Sequence, residues 1–351
     1  MDAPLQIGVM GAGVVADFGH LPSIAQAPGL ETHALFDPDA GRLESMRQRH
    51  GVPHGDTDTR AFFERPLDAV VICSPALTHR TNVELAAAHR LPILCEKPLA
   101  MDRAEGQAMI EVCAAAGVPL VVGFCYRFAP PAQEIKGLVA EGAVGDVRTL
   151  RLIYNWDCHG KYHRPDPVGA PDRWEIDARR EGRMLEGGPL VDCGVHQIDL
   201  ALWWLGADVV RSNGHGSWAD DYAAPDHVFL HLDLDTGAHA LVEMSFTYGH
   251  TTRDKCSEFV YELIGTGGVI RYDRNRSSFE VRTDQETRWL AYHPEKGFDA
   301  MHRAFAHMLR TGDAGDLCPA EHAEHVTDLA RTATDRIIAE RPAAAGSPLR
   351  E

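Results

Sequence analysis

A lysine at the end of a buried strand is the residue of this chain best situated to do chemistry. The apolar run Leu91–Cys95 reads as a short parallel strand, and Glu96-Lys97-Pro98 follows it directly. In open α/β sheets ligands bind beyond the carboxyl ends of the strands, so this position aims Lys97 at a ligand crevice. A lysine partly desolvated there can donate a hydrogen bond to a substrate oxygen or give up a proton. A charged residue that merely closes a strand before a proline has the same sequence, so the neighbours of Lys97 decide between the two readings.

A second dense stretch is Gly187-Gly188-Pro189-Leu190-Val191-Asp192-Cys193-Gly194-Val195-His196-Gln197-Ile198-Asp199. Asp192 and His196 are four apart, so on a helix they leave from one face and can reach a common ligand. A histidine titrating near neutral pH can take the proton of a hydroxyl while hydride leaves the same carbon, with a carboxylate to orient it. Asp199, three residues on, is placed to support the other ring nitrogen. A packed core histidine, or a metal held by the i,i+4 pair, would use the same residues. No third or fourth ligand stands at customary spacing, so no metal is expected.

The third stretch is Ile7-Gly8-Val9-Met10-Gly11-Ala12-Gly13-Val14-Val15-Ala16, a G-x-G-x-x-A pattern between a strand and a helix. Gly11 permits the tight turn, Gly13 lets the backbone approach a pyrophosphate, and Ala16 allows close helix–strand packing. The amides of the helix start, around Val14 and Val15, face the phosphates. Asp37 ends the second strand about 20 residues on, where an acid meets the ribose hydroxyls. Its carboxylate repels a 2′-phosphate and so favours NAD, while Arg42 close by keeps NADP open.

These residues need a scaffold, and the first third of the chain supplies an alternating one. Strands are predicted at Leu5–Met10, Glu31–Phe36, Ala69–Cys73, Ile93–Cys95 and Leu120–Gly123, with helices near Val15–Gln26, Ala40–His50, Thr81–Ala88 and Arg103–Ala116. That alternation implies an α/β fold with a doubly wound parallel sheet. After Tyr126 the pattern changes. A helix at Pro131–Glu141 and a strand at Thr149–Trp156 precede an irregular stretch to Met184 and a helix from Leu190 to Leu205. Strands follow at Val209–Trp218, His227–Asp233, His239–Ser245, Cys256–Ile264, Gly268–Tyr272 and Ser278–Thr283, which reads as a largely antiparallel open sheet in an α+β domain. Helices at Phe298–Arg310 and Ala320–Glu340 close the chain. The expected division is a dinucleotide-binding domain over 1–125, a substrate-binding and oligomerisation domain over 126–340 whose C-terminal helices can pack back on the first, and a frayed tail over 341–351.

Composition limits the partners. A formal charge of −17 over 351 residues argues against nucleic acid and against anionic membrane, since both require basic patches. No apolar stretch approaches bilayer-spanning length. A strand begins almost at the N-terminus, leaving no room for a targeting peptide. The eight cysteines are scattered without CxxC pairs, as in a cytoplasmic protein with reduced thiols. Cys73, Cys95 and Cys125 each end a predicted strand, and small buried packing residues explain that placement better than redox chemistry does. In Asp157–Arg164, the side chains of Tyr162 and His163, with Trp174 farther on, suit a sugar-binding cleft equally as well as a solvated loop.

Together these motifs resemble the glucose–fructose oxidoreductase/inositol dehydrogenase (Gfo/Idh/MocA) family over nearly the whole length. The resemblance rests on Gly11-Ala12-Gly13, Val71-Ile72-Cys73-Ser74-Pro75 with His79, Glu96-Lys97-Pro98, Val122-Gly123-Phe124-Cys125-Tyr126-Arg127-Phe128, and the Asp192…His196 helix. It implies a Rossmann domain followed by a domain whose open sheet makes a homodimer or homotetramer. It implies that Ser74, Pro75, His79, Glu96 and Lys97 border the nicotinamide cofactor, and that Arg127 begins a substrate-facing segment. It also implies that His196 is the general base in alcohol oxidation, with Asp192 and Lys97 binding and polarising the hydroxyl of a sugar, inositol or related polyol. An NAD-dependent glycoside hydrolase acting by transient oxidation, and a nucleotide-sensing regulator like the yeast galactose-pathway repressor, are alternatives within the same family. Pro189, where many members carry a third glycine, and Cys125-Tyr126 are departures from its pattern.

Overall fold

The computed structural model describes residues 3–158, 180–254 and 256–341. Contacts divide the chain into two units, Met1–Glu141 with Ala291–Asp328 and Gly142–Leu290 with Leu329–Glu351.

In the first unit, strands β1 (Leu5–Met10), β2 (Leu30–Phe36), β3 (His54–Asp56), β4 (Ala69–Ile72), β5 (Ile93–Cys95) and β6 (Leu120–Val122) run parallel. Helices α1 (Leu21–Gln26, entered through a π turn at Ala16–His20), α2 (Ala40–His50), α3 (Thr59–Phe63), α4 (His79–Ala88) and α5 (Arg103–Ala116) connect them. Their boundaries are written in side chains. Asp39, Asp58 and Asp102 accept N–H bonds as N-caps of α2, α3 and α5, and Gly51 and Gly117 end α2 and α5 in the left-handed region. With β15 (Cys318–Pro319) antiparallel at one edge, the strand order is β15-β6-β5-β4-β1-β2-β3, the doubly wound order that reverses between β1 and β4. The sequence reading passed over β3 and α3, because a three-residue edge strand of His, Gly and Asp carries no β-branched signal.

Register brings the strand ends level. Met10 pairs with Phe36 and Ile72, Ile72 with Cys95, and Cys95 with Val122. The residues that follow are therefore the Gly11 turn, Asp37, Cys73-Ser74, Glu96-Lys97 and Gly123, all on one crest.

By contacts the first unit extends past residue 125 to Glu141 and takes in residues 291–328. The reason is packing. Helix α6 (Pro130–Ala140) is tied to the 316 segment, with Gln133 Nε2 donating to Asp316 Oδ2 at 3.1 Å. Helix α8 (Phe298–Thr311) buries Phe298, Met301 and Phe305 in the same core as Ile7, Val9 and Leu35. Each such side chain contributes roughly 1.5–3 kcal/mol.

The second unit is an eight-stranded sheet in the order β14-β13-β12-β11-β7-β10-β9-β8. Its strands are β7 (Val147–Asn155), β8 (Val209–Ser217), β9 (His227–Leu234), β10 (His239–Ser245), β11 (Glu258–Gly265), β12 (Gly268–Asp273), β13 (Ser278–Thr283) and β14 (Thr287–Trp289). Among its described strands only β7 and β10 pair in parallel, so the largely antiparallel expectation holds. Helix α7 (Val195–Leu205) lies on one face, with Trp204 edge-on to Tyr261 at 5.3 Å. Helix α9 (Ala320–Ala339) is the last described helix, and no described helix is long and apolar enough to cross a membrane.

The switch-point turn sets a stability test. Gly11 has φ of 103°, and a Cβ there would lie 2.7 Å from the Ser74 nitrogen. Gly13 has nothing within 4 Å of a Cβ. Gly11→Ala is expected to cost about 2–4 kcal/mol in urea unfolding, and Gly13→Ala to stay within about 0.5 kcal/mol of the unaltered protein. Equal midpoints for the two variants would contradict the close approach.

Candidate active site

The glycine turn is fastened to the end of β2 by Asp37. Its Oδ2 accepts the Ala12 N–H and its Oδ1 the Asp39 N–H, both at 2.9 Å. The carboxylate is only 3% exposed. Asp37 therefore shapes the turn as well as marking where the ribose should lie. Arg42, half-exposed, is 3.6 Å from Asp37 and 3.7 Å from Asp39, so acid and guanidinium share the place where a 2′-phosphate would sit. The open space over Gly13 and the helix that begins at Val14 and Val15 form a cradle that fits a dinucleotide pyrophosphate.

Across the switch point, Ser74 Oγ accepts from Thr78 Oγ1 at 2.8 Å and Asn82 Nδ2 at 2.9 Å, and Pro75 precedes a short 3₁₀ turn into α4. His79, expected beside the cofactor, meets backbone carbonyls with its ring. Its Nε2 lies 2.8 Å from the Ser74 carbonyl and its Nδ1 3.1 Å from those of Pro98 and Leu99. With a backbone carbonyl beside each nitrogen and 1% exposure, it is wedged between the Ser74 loop and the Glu-Lys-Pro loop, and the neutral ring donates its one proton to one of them. Burial pushes its pKa below the ordinary value despite those carbonyls.

Glu96 is buried and Lys97 half-buried on the crest, and the Lys97-Pro98 peptide is cis. The neighbouring thiols are inert packing. Burial raises Cys73 and Cys95 well above the usual thiol range and Cys125 to about 12, with the Glu96 charge acting in the same direction.

Arg127, expected to face substrate, is 4% exposed, and its guanidinium donates to the Asp316 carbonyl at 3.4 Å. Its backbone carbonyl also accepts from Gln133 at 2.8 Å. Within the first unit it is a brace between β6 and the 316 segment, a role invisible from a strand-end position in sequence.

In the second unit, Gly187 (φ 117°) and Gly188 (φ 71°) lead to Pro189, which starts the helix with φ −60°. Proline suits a first helical turn, where its missing N–H is no loss. The departure from a third glycine is thus accommodated. Asp192 lies in a π turn, Leu190–Gly194, and His196 in the first turn of α7. Such π insertions recur at functional sites. At Gly194 an added Cβ would meet Leu190 Cδ1 at 2.8 Å and Met244 Cγ at 3.1 Å, so this turn is pressed onto β10. Asp192, His196 and Asp199 are all buried, at 7%, 6% and 1% exposure.

Sequence reading missed Arg183. Its Nε lies 3.2 Å from Asp192 Oδ2, its Nη1 lies 2.8 Å from Cys158 Sγ, and its guanidinium stacks over Trp156 at 5.5 Å. Burial works against its charge, but Asp192, Cys158 and Cys193 together outweigh it and the pKa rises. Arg183 stays cationic and holds the carboxylate that precedes His196. The only signal in sequence was a basic residue a few positions before the glycine pair. Tyr162, His163 and Trp174, expected to line a sugar cleft, lie outside the described residues. Breaking a buried ion pair leaves its partner charge uncompensated. Arg183→Met is therefore expected to lower kcat/KM at least about 10-fold while leaving NAD affinity unchanged, measured by steady-state kinetics and nucleotide titration. Unaltered kcat/KM would remove Arg183 from the site.

Comparison with known proteins agrees with this geometry. Residues 5–124 match the model of the oxidoreductase family with an NAD-binding Rossmann fold, and residues 132–271 match the GFO/IDH/MocA C-terminal domain. The chain is 29% identical over 331 residues to scyllo-inositol 2-dehydrogenase (NAD(+)) of Bacillus subtilis, covering 89% of this chain and 88% of that protein. It is 30% identical to inositol 2-dehydrogenase 2 of Saccharopolyspora erythraea, over 76% of this chain and 72% of that one. A crystal structure of an oxidoreductase from Agrobacterium radiobacter, in complex with NAD+, L-tartaric acid and magnesium, shares the fold with a TM-score of 0.81 at 21% identity, covering 96% of this chain and 97% of that one. With a glycine turn at the β1/β4 switch point, a lysine on the same crest and an Asp192…His196 helix, the chain belongs to the Gfo/Idh/MocA family of NAD-dependent oxidoreductases.

Proposed function

We propose that the protein is an NAD-linked dehydrogenase or reductase acting on a CH–OH or keto carbon of a sugar, inositol or related polyol. The observation that carries this reading is the common crest of Gly11, Ser74 and Lys97, fixed by the register of β1, β4 and β5. The inositol dehydrogenases among its relatives support the substrate class. The nicotinamide, when bound, supplies the hydride acceptor or donor. The chain supplies the rest. Lys97 binds and polarises the reacting oxygen, His196 takes its proton, and Asp192, held by Arg183, orients the hydroxyl. In the reducing direction His196 returns the proton.

The reading is tested by a substrate screen with NAD and NADP, following absorbance at 340 nm and, for glycosides, released aglycone. Reduction of NAD by at least one polyol is expected. Lys97→Met should lower kcat at least about 100-fold with NAD affinity retained. Absence of any absorbance change over a broad panel, aglycone release without net NADH, or full turnover by Lys97→Met would each overturn the assignment.

We further propose a cytoplasmic homodimer or homotetramer assembled through the sheet face opposite α7. By register that face presents Phe229, Ile264 and Trp289, respectively 38%, 38% and 64% exposed, among paired charges such as Arg151–Glu262 at 2.9 Å. An apolar face interleaved with satisfied ion pairs suits a second copy of the same chain. The double substitution Phe229→Glu, Trp289→Glu is expected to give monomers in light scattering, and an unchanged mass for the variant would contradict this interface.

A further inference from the structure

A chain of buried polar side chains runs beneath the crest of the first unit and is unused by the chemistry above. It links His302 of α8, His20 of the π turn before α1, and Glu96, exposed by 0%, 0% and 5%. His302 Nε2 lies 3.0 Å from His20 Nδ1, and His20 Nε2 lies 2.9 Å from Glu96 Oε1. The other carboxylate oxygen, Oε2, accepts the backbone N–H of Lys97 at 3.2 Å.

The protons on this chain follow from its buried end. His302 Nδ1 is buried and has no hydrogen-bond partner among the described residues. A proton there would be a buried donor without an acceptor, costing about 1–3 kcal/mol. The His302 proton therefore stands on Nε2 and is donated to His20 Nδ1. His20 Nδ1 is then an acceptor, so the one proton of His20 stands on Nε2 and points at Glu96. Burial keeps the His302 ring neutral, its pKa well below the ordinary value. Both rings thus direct their N–H groups toward one carboxylate.

Sterics hold that carboxylate still. A Cβ at Gly123 would lie 2.9 Å from Glu96 Oε1, and the Phe298 ring stands edge-on to His20 at 5.1 Å. The titratable groups acting on or with Glu96 are His20 from the π turn, Cys73 and Cys95 from the ends of β4 and β5, and His79 from α4. Among the described residues Cys125 after β6, with its neighbours Lys97 and Lys296, belongs to the same group. The thiols stay protonated, as their raised pKa values require, and His79 is spent on carbonyls.

We propose that His302 and His20 are positioning residues for Lys97: two imidazoles in series that keep the Glu96 carboxylate ionised and immobile at the Lys97 backbone, so that Lys97 presents an ammonium donor to the reacting oxygen. This rests on the dehydrogenase reading for its effect on turnover, but not for its effect on Glu96. Removing His20 takes a donor from the charged form of a buried carboxyl, which raises its pKa. Removing His302 takes away only the polarisation of the second bond, a smaller effect in the same direction.

The test uses the full chain with His20→Leu, His302→Leu and His302→Gln, the last retaining a donor at the Nε2 position. Two readouts are needed: the ¹³C titration of the Glu96 carboxyl, assigned by its loss in Glu96→Gln, and the pH profile of kcat/KM. In the unaltered protein and in His302→Gln the resonance is expected to stay flat from pH 5 to 9. In His20→Leu it should titrate within that range, with the acid limb of kcat/KM moved up by about one pH unit and the KM for NAD changed less than about twofold. In His302→Leu a smaller displacement in the same sense is expected. A flat carboxyl resonance in folded His20→Leu, or a fall in kcat with an unmoved acid limb, would overturn the proposal by reducing the chain to a packing element. Should His20→Leu fail to fold, His20→Phe, which keeps the ring packed against Phe298 but has neither nitrogen, must give the same titration of Glu96. If no substrate turns over, the dehydrogenase reading fails while the carboxyl titration still decides the role of the two histidines.

Discussion

The parallel register of four short strands is the constraint on which the rest of the first unit depends. Strands β1, β4, β5 and β6 end level because Met10, Ile72, Cys95 and Val122 are paired across the sheet. A slip of one residue would exchange the side chains between the two covered faces of the sheet and mismatch the packing on both, so the fully buried runs Ala69–Ile72 and Ile93–Cys95 fix the alignment. The turn that needs no side chain, the loop that meets it and the lysine loop then follow at one height. Nothing in the local sequence of Glu96-Lys97-Pro98 could achieve this alone.

Around that crest the polar groups share one design: each is fastened from two sides before any ligand arrives. Asp37 takes two backbone N–H groups, His79 spans two loops, and Glu96 lies between His20 and the Lys97 amide. In the second unit Arg183 does the same for Asp192. Pre-set dipoles and charges cost no reorganisation when charge develops on a reacting oxygen, which is where such a site gains most of its rate. The expense falls on burial of ionisable groups, and it is offset by hydrogen bonds that satisfy them.

How legible this was in the sequence depended on the range of the interaction. Strands such as Leu5–Met10, Ile93–Cys95 and His239–Ser245, and helices Ala40–His50 and Arg103–Ala116, were read to the residue, because periodicity and caps are local. The glycine fingerprint and Asp37 were legible for the same reason. That α6 and residues 291–328 join the first unit was less legible, because the contacts that hold them are made far along the chain. That the side chains of Arg127 and His79 meet backbone carbonyls was not legible, because motif position says where a residue stands, not which carbonyl its side chain meets. Arg183 and the pair His20–His302 were missed altogether. His20 and His302 are 282 residues apart, and no spacing rule connects them.

The claim that links all of these features is direct hydride transfer between a substrate carbon and the nicotinamide. It is tested most directly with a polyol that turns over, deuterated at the reacting carbon, and mass analysis of the NADH formed in ordinary water. One deuterium retained on the nicotinamide, with a primary isotope effect on kcat/KM when chemistry limits the rate, is the expected result. NADH formed without deuterium would show that the hydrogen reaches the cofactor by another route and would contradict the assignment.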